Sequence, residues 1–173
     1  MKILNQNQRV ALIGFMGVGK TTIGQNLADN LAYKFIDIDE KIEKQYMRPT
    51  SQIFNRLGES VFRKAEKDLI FHYINTKNKV LSLGGGAFLQ KEVKEACLTQ
   101  CTVVYLEMTW EYWEERLDFL ISSRPLLQGK DLTEIYQLFN ERLPYYQDYH
   151  YKVNLDGLNI DDATEKVLKT IKR

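Results

Sequence analysis

With 173 residues, 44% apolar and 27% charged, the chain matches the soluble globular average and has enough length for one domain, 1–173, with a hydrophobic core. A net charge of +1 provides no global field for nucleic acid or an acidic membrane, so an anion has to be held by particular arginines and backbone amides. Disordered and fibrous classes are excluded by the same composition. No stretch is apolar for long enough to span a bilayer or form a signal core, which leaves a cytoplasmic protein as the expectation.

In chain order, RVALIG (9–14) is expected as a buried strand, followed by the glycine-rich loop GFMGVGKTT (14–22) and a helix over 21–32 with Ile23, Leu27 and Leu31 on one face. FIDID (35–39) reads as a second strand ending in acid, which puts Asp37 and Asp39 on one face at its carboxyl end. Pro49 breaks the next helix, Thr50 is placed to cap SQIFNRL, and Gly58 stops that helix before ESVFRKAEKDLIFHYIN. KVLSLGGG (79–86) is a strand running into a glycine turn, TVVYLE (102–107) a fourth strand and YKVNL (151–155) a weaker fifth. The C-terminal helix carries acids early and lysines late, which suits its own dipole. Strands alternating with helices predict an α/β chain with a parallel sheet, whose ligand site lies beyond the carboxyl ends of the strands.

The remaining prominent residues read as structural. Cys97 and Cys101 fit one helical turn, stand far in sequence from His72 and His150, and are expected as reduced core thiols rather than a zinc site. Trp110 and Trp113 are expected in the core or a groove, and the aromatic run 145–151 has too little basic character for nucleic-acid stacking. LDFLISSRPLLQGKD (117–131) loses its period between two helices and is expected as either a disordered or a functional loop.

Gly14, Gly19, Lys20 and Thr21 fit G-x-x-x-x-G-K-[ST] between a strand and a helix. In that context the backbone N–H groups from Gly17 and Val18 through Gly19 to Thr22 cradle phosphate oxygens, Lys20 serves the outer phosphates and Thr21 offers magnesium a hydroxyl. The expected ligand is ATP with Mg2+. Asp37 and Asp39 can divide the remaining work, one ordering magnesium through water and the other accepting a proton from an attacking hydroxyl; the plainer alternative is a solvated pair capping the next helix. Arg63 and Glu66 are helical neighbours, and their spacing alone favours an exposed ion pair, whereas a fixed guanidinium would suit a carboxylate ligand. Gly84, Gly85 and Gly86 are expected to let the backbone approach a ligand closely.

The order G-x-x-G-x-G-K-T (14–21), D-x-D (37–39), F-R-x-x-E (62–66), G-G-G (84–86), R-P-L-L (124–127) and R-x-P-x-Y (142–146) resembles shikimate kinase over residues 10 to about 155. The resemblance implies transfer of the ATP γ-phosphoryl to the 3-hydroxyl of shikimate, in the pathway to chorismate and aromatic amino acids. It implies a three-layer P-loop kinase fold of the nucleoside-monophosphate-kinase type: a central five-stranded parallel sheet, a substrate-binding helical segment at about 38–66 and a mobile lid at about 117–131. It places Asp37 on the magnesium side and Asp39 at the acceptor hydroxyl. Arg63 and Arg142 fall on the carboxylate, Gly85 and Gly86 against the substrate, and Arg124 on the phosphates as a lid arginine. Arg116 falls either against adenine or on the last turn of a helix. The lid's apolar tip, Phe119 to Ile121, either folds over the nucleotide or packs on another chain. A monomer without nucleic-acid or membrane partners is expected. The rivals are a kinase of gluconate or a nucleoside monophosphate, and a kinase-shaped module without catalysis.

Overall fold

Strand β1 (Arg9–Ile13) sits at the centre of a five-stranded, wholly parallel sheet in a computed structural model that describes residues 8–121 and 124–172. Its neighbours are β3 (Lys79–Ser82) and β4 (Thr102–Glu107), and β2 (Lys34–Asp37) and β5 (Tyr151–Asn154) form the edges, giving the order β2-β3-β1-β4-β5. Registers pair Leu12 with Ser82 and with Val104, so the ends of β1 and β3 finish side by side. Successive strand residues point to opposite faces, and since Val10–Ile13, Val80–Ser82 and Val103–Leu106 are all buried, both faces of the sheet are covered.

The helices pack in two groups. Helix α1 (Lys20–Leu31) lies on β2 and β3 and against α9 (Ile160–Ile171), burying Ile23, Leu27, Val167 and Ile171. Helices α2 (Ile38–Tyr46) and α3 (Thr50–Leu57) pack on α4 (Glu59–Ile74), which also meets β3 and α5 (Lys91–Gln100). The chain then runs through α6 (Trp110–Glu114), α7 (Leu117–Leu120), a single 3₁₀ turn at Pro125–Leu127 and α8 (Leu132–Arg142), which ends in a 3₁₀ turn at Leu143–Tyr146.

Two local expectations change. The second strand stops at Asp37 rather than Asp39: Asp37 becomes the N-cap of α2, its carboxylate accepting from Glu40 N at 3.2 Å, and Ile38 and Ile42 are both buried one helical turn apart. Alternation in FIDID suits a strand, but the i, i+4 pair Ile38/Ile42 decides for a helix. Thr50 does not cap α3; Pro49 holds that position, and Thr50 donates through both its N–H and its hydroxyl to Glu43 Oε1, at 2.7 and 2.9 Å. The C-terminal helix is capped by Asn159, which accepts from Asp162 N. Cys97 and Cys101 are buried free thiols, and Trp113 is fully buried. Within the aperiodic segment, Ser122 and Ser123 lie outside the described residues.

Candidate active site

At the carboxyl ends of β1, β2 and β3 a cleft of about 560 Å³ opens, lined from one end to the other by the glycine loop, the two aspartates, Arg63, Gly84–Gly86, Arg116, Arg124 and Arg142. Its floor is the loop between β1 and α1. Gly17 (φ 78) and Gly19 (φ 104) take left-handed conformations that turn consecutive amides inward, which a side-chain-bearing residue adopts only under strain. Val18 turns its side chain into the core and leaves only its backbone to the loop. Thr21 and Thr22, at the start of α1, are exposed to the cleft. Trp113 anchors the loop from behind, its indole N–H donating to Met16 O at 2.7 Å and its ring meeting Phe15 edge-on.

Lys20 is buried, and its Nζ donates to Gly14 O at 2.7 Å and Phe15 O at 2.9 Å. Burial pulls its pKa down to about 8, with the charge of Asp39 resisting and that of Arg124 assisting. Lys20, Asp39 and Arg124 thus feel one another across the cleft. Arg124 is half-buried, and among the described residues its Nε has no partner.

Thr21 Oγ1 donates to Asp37 Oδ2 at 2.7 Å, tying α1 to α2. Asp39 stands on the first turn of α2 and still reaches the cleft, because the helix rather than the strand turns it inward. Burial first, then the adjacent Asp37, raises its pKa above the usual carboxylate range, against Lys20, Arg124 and Arg63. Its Oδ1 is buried and without a partner among the described residues. A buried carboxylate oxygen with no donor is expensive, and such atoms in a cleft mark where a ligand donates.

Arg63 and Glu66 are not the exposed pair that their spacing favours. Glu66 is 0% exposed; its Oε2 accepts from Arg63 Nη1 at 2.7 Å and from Gln90 Nε2 at 2.9 Å, while Glu59 Oε1 accepts from Arg63 Nε at 3.2 Å. The guanidinium also lies 5.4 Å from the Phe62 ring centroid, so its plane is set by carboxylates on one side and an aromatic on the other. Gly84 and Gly86 make room for these side chains. A Cβ on Gly84 would lie 2.8 Å from Glu66 Oε1 and 2.9 Å from Asp39 Oδ1, and one on Gly86 would strike the Arg63 guanidinium. The close approach expected for a ligand is therefore made first by the protein's own charged groups. Arg142, at the end of α8, lines the same cavity from the other side.

A family model described as shikimate kinase matches residues 16–172. The chain belongs to the shikimate kinase family. It is similar to the shikimate kinase of Oceanobacillus iheyensis, at 47% identity over 96% of this chain and 91% of that one. Its fold is similar to the crystal structure of shikimate kinase from Bacteroides thetaiotaomicron, with a TM-score of 0.86 and 30% identity over 94% of this chain and 97% of that one. It is equally similar to the shikimate kinase from Acinetobacter baumannii in complex with shikimate, at TM-score 0.87 and 32% identity over 94% and 92% of the two chains.

The structure adds contacts in this shikimate kinase cleft that the motifs do not show. Gln90 completes the Glu66 pair, and Tyr146 reaches Gly85 O through its hydroxyl at 2.5 Å across 61 residues of sequence. Ile160, the first residue of α9, lines the cleft at the loop end, beside Gly19. Arg116 Nη1 donates to Gly17 O at 3.3 Å and precedes α7 as its N-cap, and Leu120 packs directly on Gly17. The apolar tip divides: Leu120 turns onto the phosphate loop, and Phe119 is 83% exposed.

Proposed function

We propose that the chain transfers the γ-phosphoryl group of ATP to the 3-hydroxyl of shikimate, giving shikimate 3-phosphate and ADP. The observation that carries this assignment is Asp39 Oδ1, a buried carboxylate oxygen without a partner among the described residues, within the field of the Lys20 and Arg63 charges. Amides from Gly17 to Thr22 and the Lys20 ammonium hold the phosphates. Arg63 and Arg142 grip the acceptor's carboxylate, the first already oriented by Glu66. Gly85 and Gly86 lie against the acceptor's ring. The acceptor hydroxyl donates to Asp39; as its oxygen bonds to phosphorus, the proton passes to that carboxylate and ADP departs with the bridging oxygen. Arg124 sits over the phosphates where charge builds up in the transition state.

The donor set fits Mg2+. Thr21 Oγ1 and Asp37 are neighbours at the loop, and the described residues contain no cluster of three or more His, Cys, Asp or Glu that would cage a cation. That matches an ion that keeps several waters and takes its other ligands from phosphate. Thr21 would hold it directly and Asp37 through water. When bound, magnesium neutralises charge on the β- and γ-phosphate oxygens.

The same proposal makes the chain one domain, with 38–66 shaping the acceptor end and 117–131 covering the nucleotide, and a cytoplasmic monomer. Among the described residues no helix is long and apolar enough to cross a membrane. The test is product analysis: after incubation with Mg-ATP and shikimate, two-dimensional proton–phosphorus NMR should show coupling from phosphorus to the proton on C3. Coupling to another ring carbon would overturn the regiochemistry, and with it the placement of Asp39.

A further inference from the structure

We infer that Tyr146 is a positioning residue for the acceptor: by holding the Gly85 carbonyl, it turns the Gly86 N–H toward the carboxylate gripped by Arg63 and Arg142. This rests on the acceptor assignment above and adds to it a residue that touches no substrate.

The backbone of Gly84–Gly86 is used asymmetrically. All three carbonyls are occupied: Gly84 O accepts from Ala87 N at 2.9 Å, Gly86 O from Leu89 N at 3.1 Å, and Gly85 O from the Tyr146 hydroxyl at 2.5 Å. Among the described residues the N–H groups of Gly84, Gly85 and Gly86 donate to nothing, although Leu83 N just before them donates to Leu12 O and Ala87 N just after them to Gly84 O. Three consecutive donors on residues that line the cleft are thus left for a ligand.

Tyr146 controls the middle peptide of this turn. A trans peptide is planar, so its C=O and N–H point in opposite directions, and the described chain contains no cis bond. With the Gly85 oxygen drawn to Tyr146, the Gly86 hydrogen must point the opposite way. Gly86 lies directly against the Arg63 guanidinium, since a Cβ there would collide with it. Gly86 and Arg63 both line the cleft, so the N–H turned away from Tyr146 belongs to a residue beside that guanidinium.

Tyr146 is well fixed for this task. It is 1% exposed, its ring stacks on Tyr105 with centroids 5.5 Å apart, and it follows Arg142 by one turn. One short segment thus supplies a carboxylate-binding guanidinium and the hydroxyl that orients the opposing amide. Burial pushes the phenol's pKa up, so it remains a donor throughout the working pH range.

Tyr146→Phe removes the hydroxyl and keeps the stacked ring. Losing one neutral hydrogen bond is worth roughly a 3- to 10-fold change in an equilibrium. The KM for shikimate should rise by that factor, with kcat and the Kd for ATP unchanged. A second titration uses an analogue carrying a hydroxymethyl group in place of the carboxylate; its Kd should be the same for wild type and variant. A residue that only packs the loop would shift kcat, or shift both acceptors alike, and either result overturns the inference, as does an unchanged shikimate KM. Wild-type protein that does not phosphorylate shikimate would sink the acceptor assignment itself and this inference with it.

Discussion

Glu66→Gln should make the unliganded protein more stable at alkaline pH while weakening acceptor binding. Glu66 is fully buried, and burial raises its pKa from 4.5 to about 7 despite the attraction of Arg63. Below pH 4.5 folded and unfolded chains both carry the proton. Between 4.5 and about 7 the folded carboxyl keeps a proton that the unfolded one has lost, so its contribution to stability falls as the pH rises and is fully lost above about 7. The interval between the two pKa values, at 1.36 kcal/mol per pH unit, amounts to about 3 kcal/mol at pH 8.5 and below about 1 kcal/mol at pH 5. Glutamine carries no charge, so it avoids this loss; its amide oxygen can take the place of Oε2 and accept from Arg63 and Gln90. Urea unfolding of both proteins at pH 5 and pH 8.5 reads the difference directly. Near-equal stability at pH 5 with a variant more stable by about 3 kcal/mol at pH 8.5 is expected. A variant less stable at pH 8.5, or a difference that does not change with pH, would refute the reasoning and make the ion pair a net stabiliser.

Asp39→Asn removes the proton acceptor and keeps its shape; kcat should fall roughly 10²-fold or more while the Kd for ATP, read by calorimetry, stays put. Arg142→Lys keeps the charge and loses the planar fork, so shikimate should bind about 1.5 to 3 kcal/mol more weakly by titration. Gly86→Ala places a methyl group where the Arg63 guanidinium now lies; the KM for shikimate should rise about 10-fold or more, the loss of one charge-assisted hydrogen bond, with a lower melting temperature because buried Glu66 loses its Arg63 partner. A Gly86→Ala enzyme with wild-type KM would show that Arg63 can bind from another rotamer.

How much was legible depended on the range of the interactions involved. The phosphate loop could be read whole because strand, loop and helix are contiguous, and each glycine and the lysine act on neighbouring backbone. The sheet follows from its apolar runs, and its edge strands are the less buried ones. Ile38 and Asp39 read as strand because two alternating isoleucines, Ile36 and Ile38, fit both periods until Ile42 joins them in the core. Glu66 was undecidable from spacing, since i, i+3 pairs look alike on a surface and in a cleft; its burial comes from Gln90 and the glycine turn, brought in by other elements. Tyr146 appeared within a motif, but its partner lies 61 residues away, and no local pattern encodes that bond. Leu120 on Gly17 is a contact between distant segments, hidden in a stretch without period.

The most direct test of the central claim is the initial rate of ADP formation from Mg-ATP by the wild-type protein with shikimate, gluconate or a nucleoside monophosphate as acceptor. Formation that is slow alone, rises steeply with shikimate and stays at background with the others is the expected result, because only the clamped acceptor presents a hydroxyl to Asp39. ADP formation unchanged by shikimate, or driven equally well by gluconate or a nucleoside monophosphate, would contradict it.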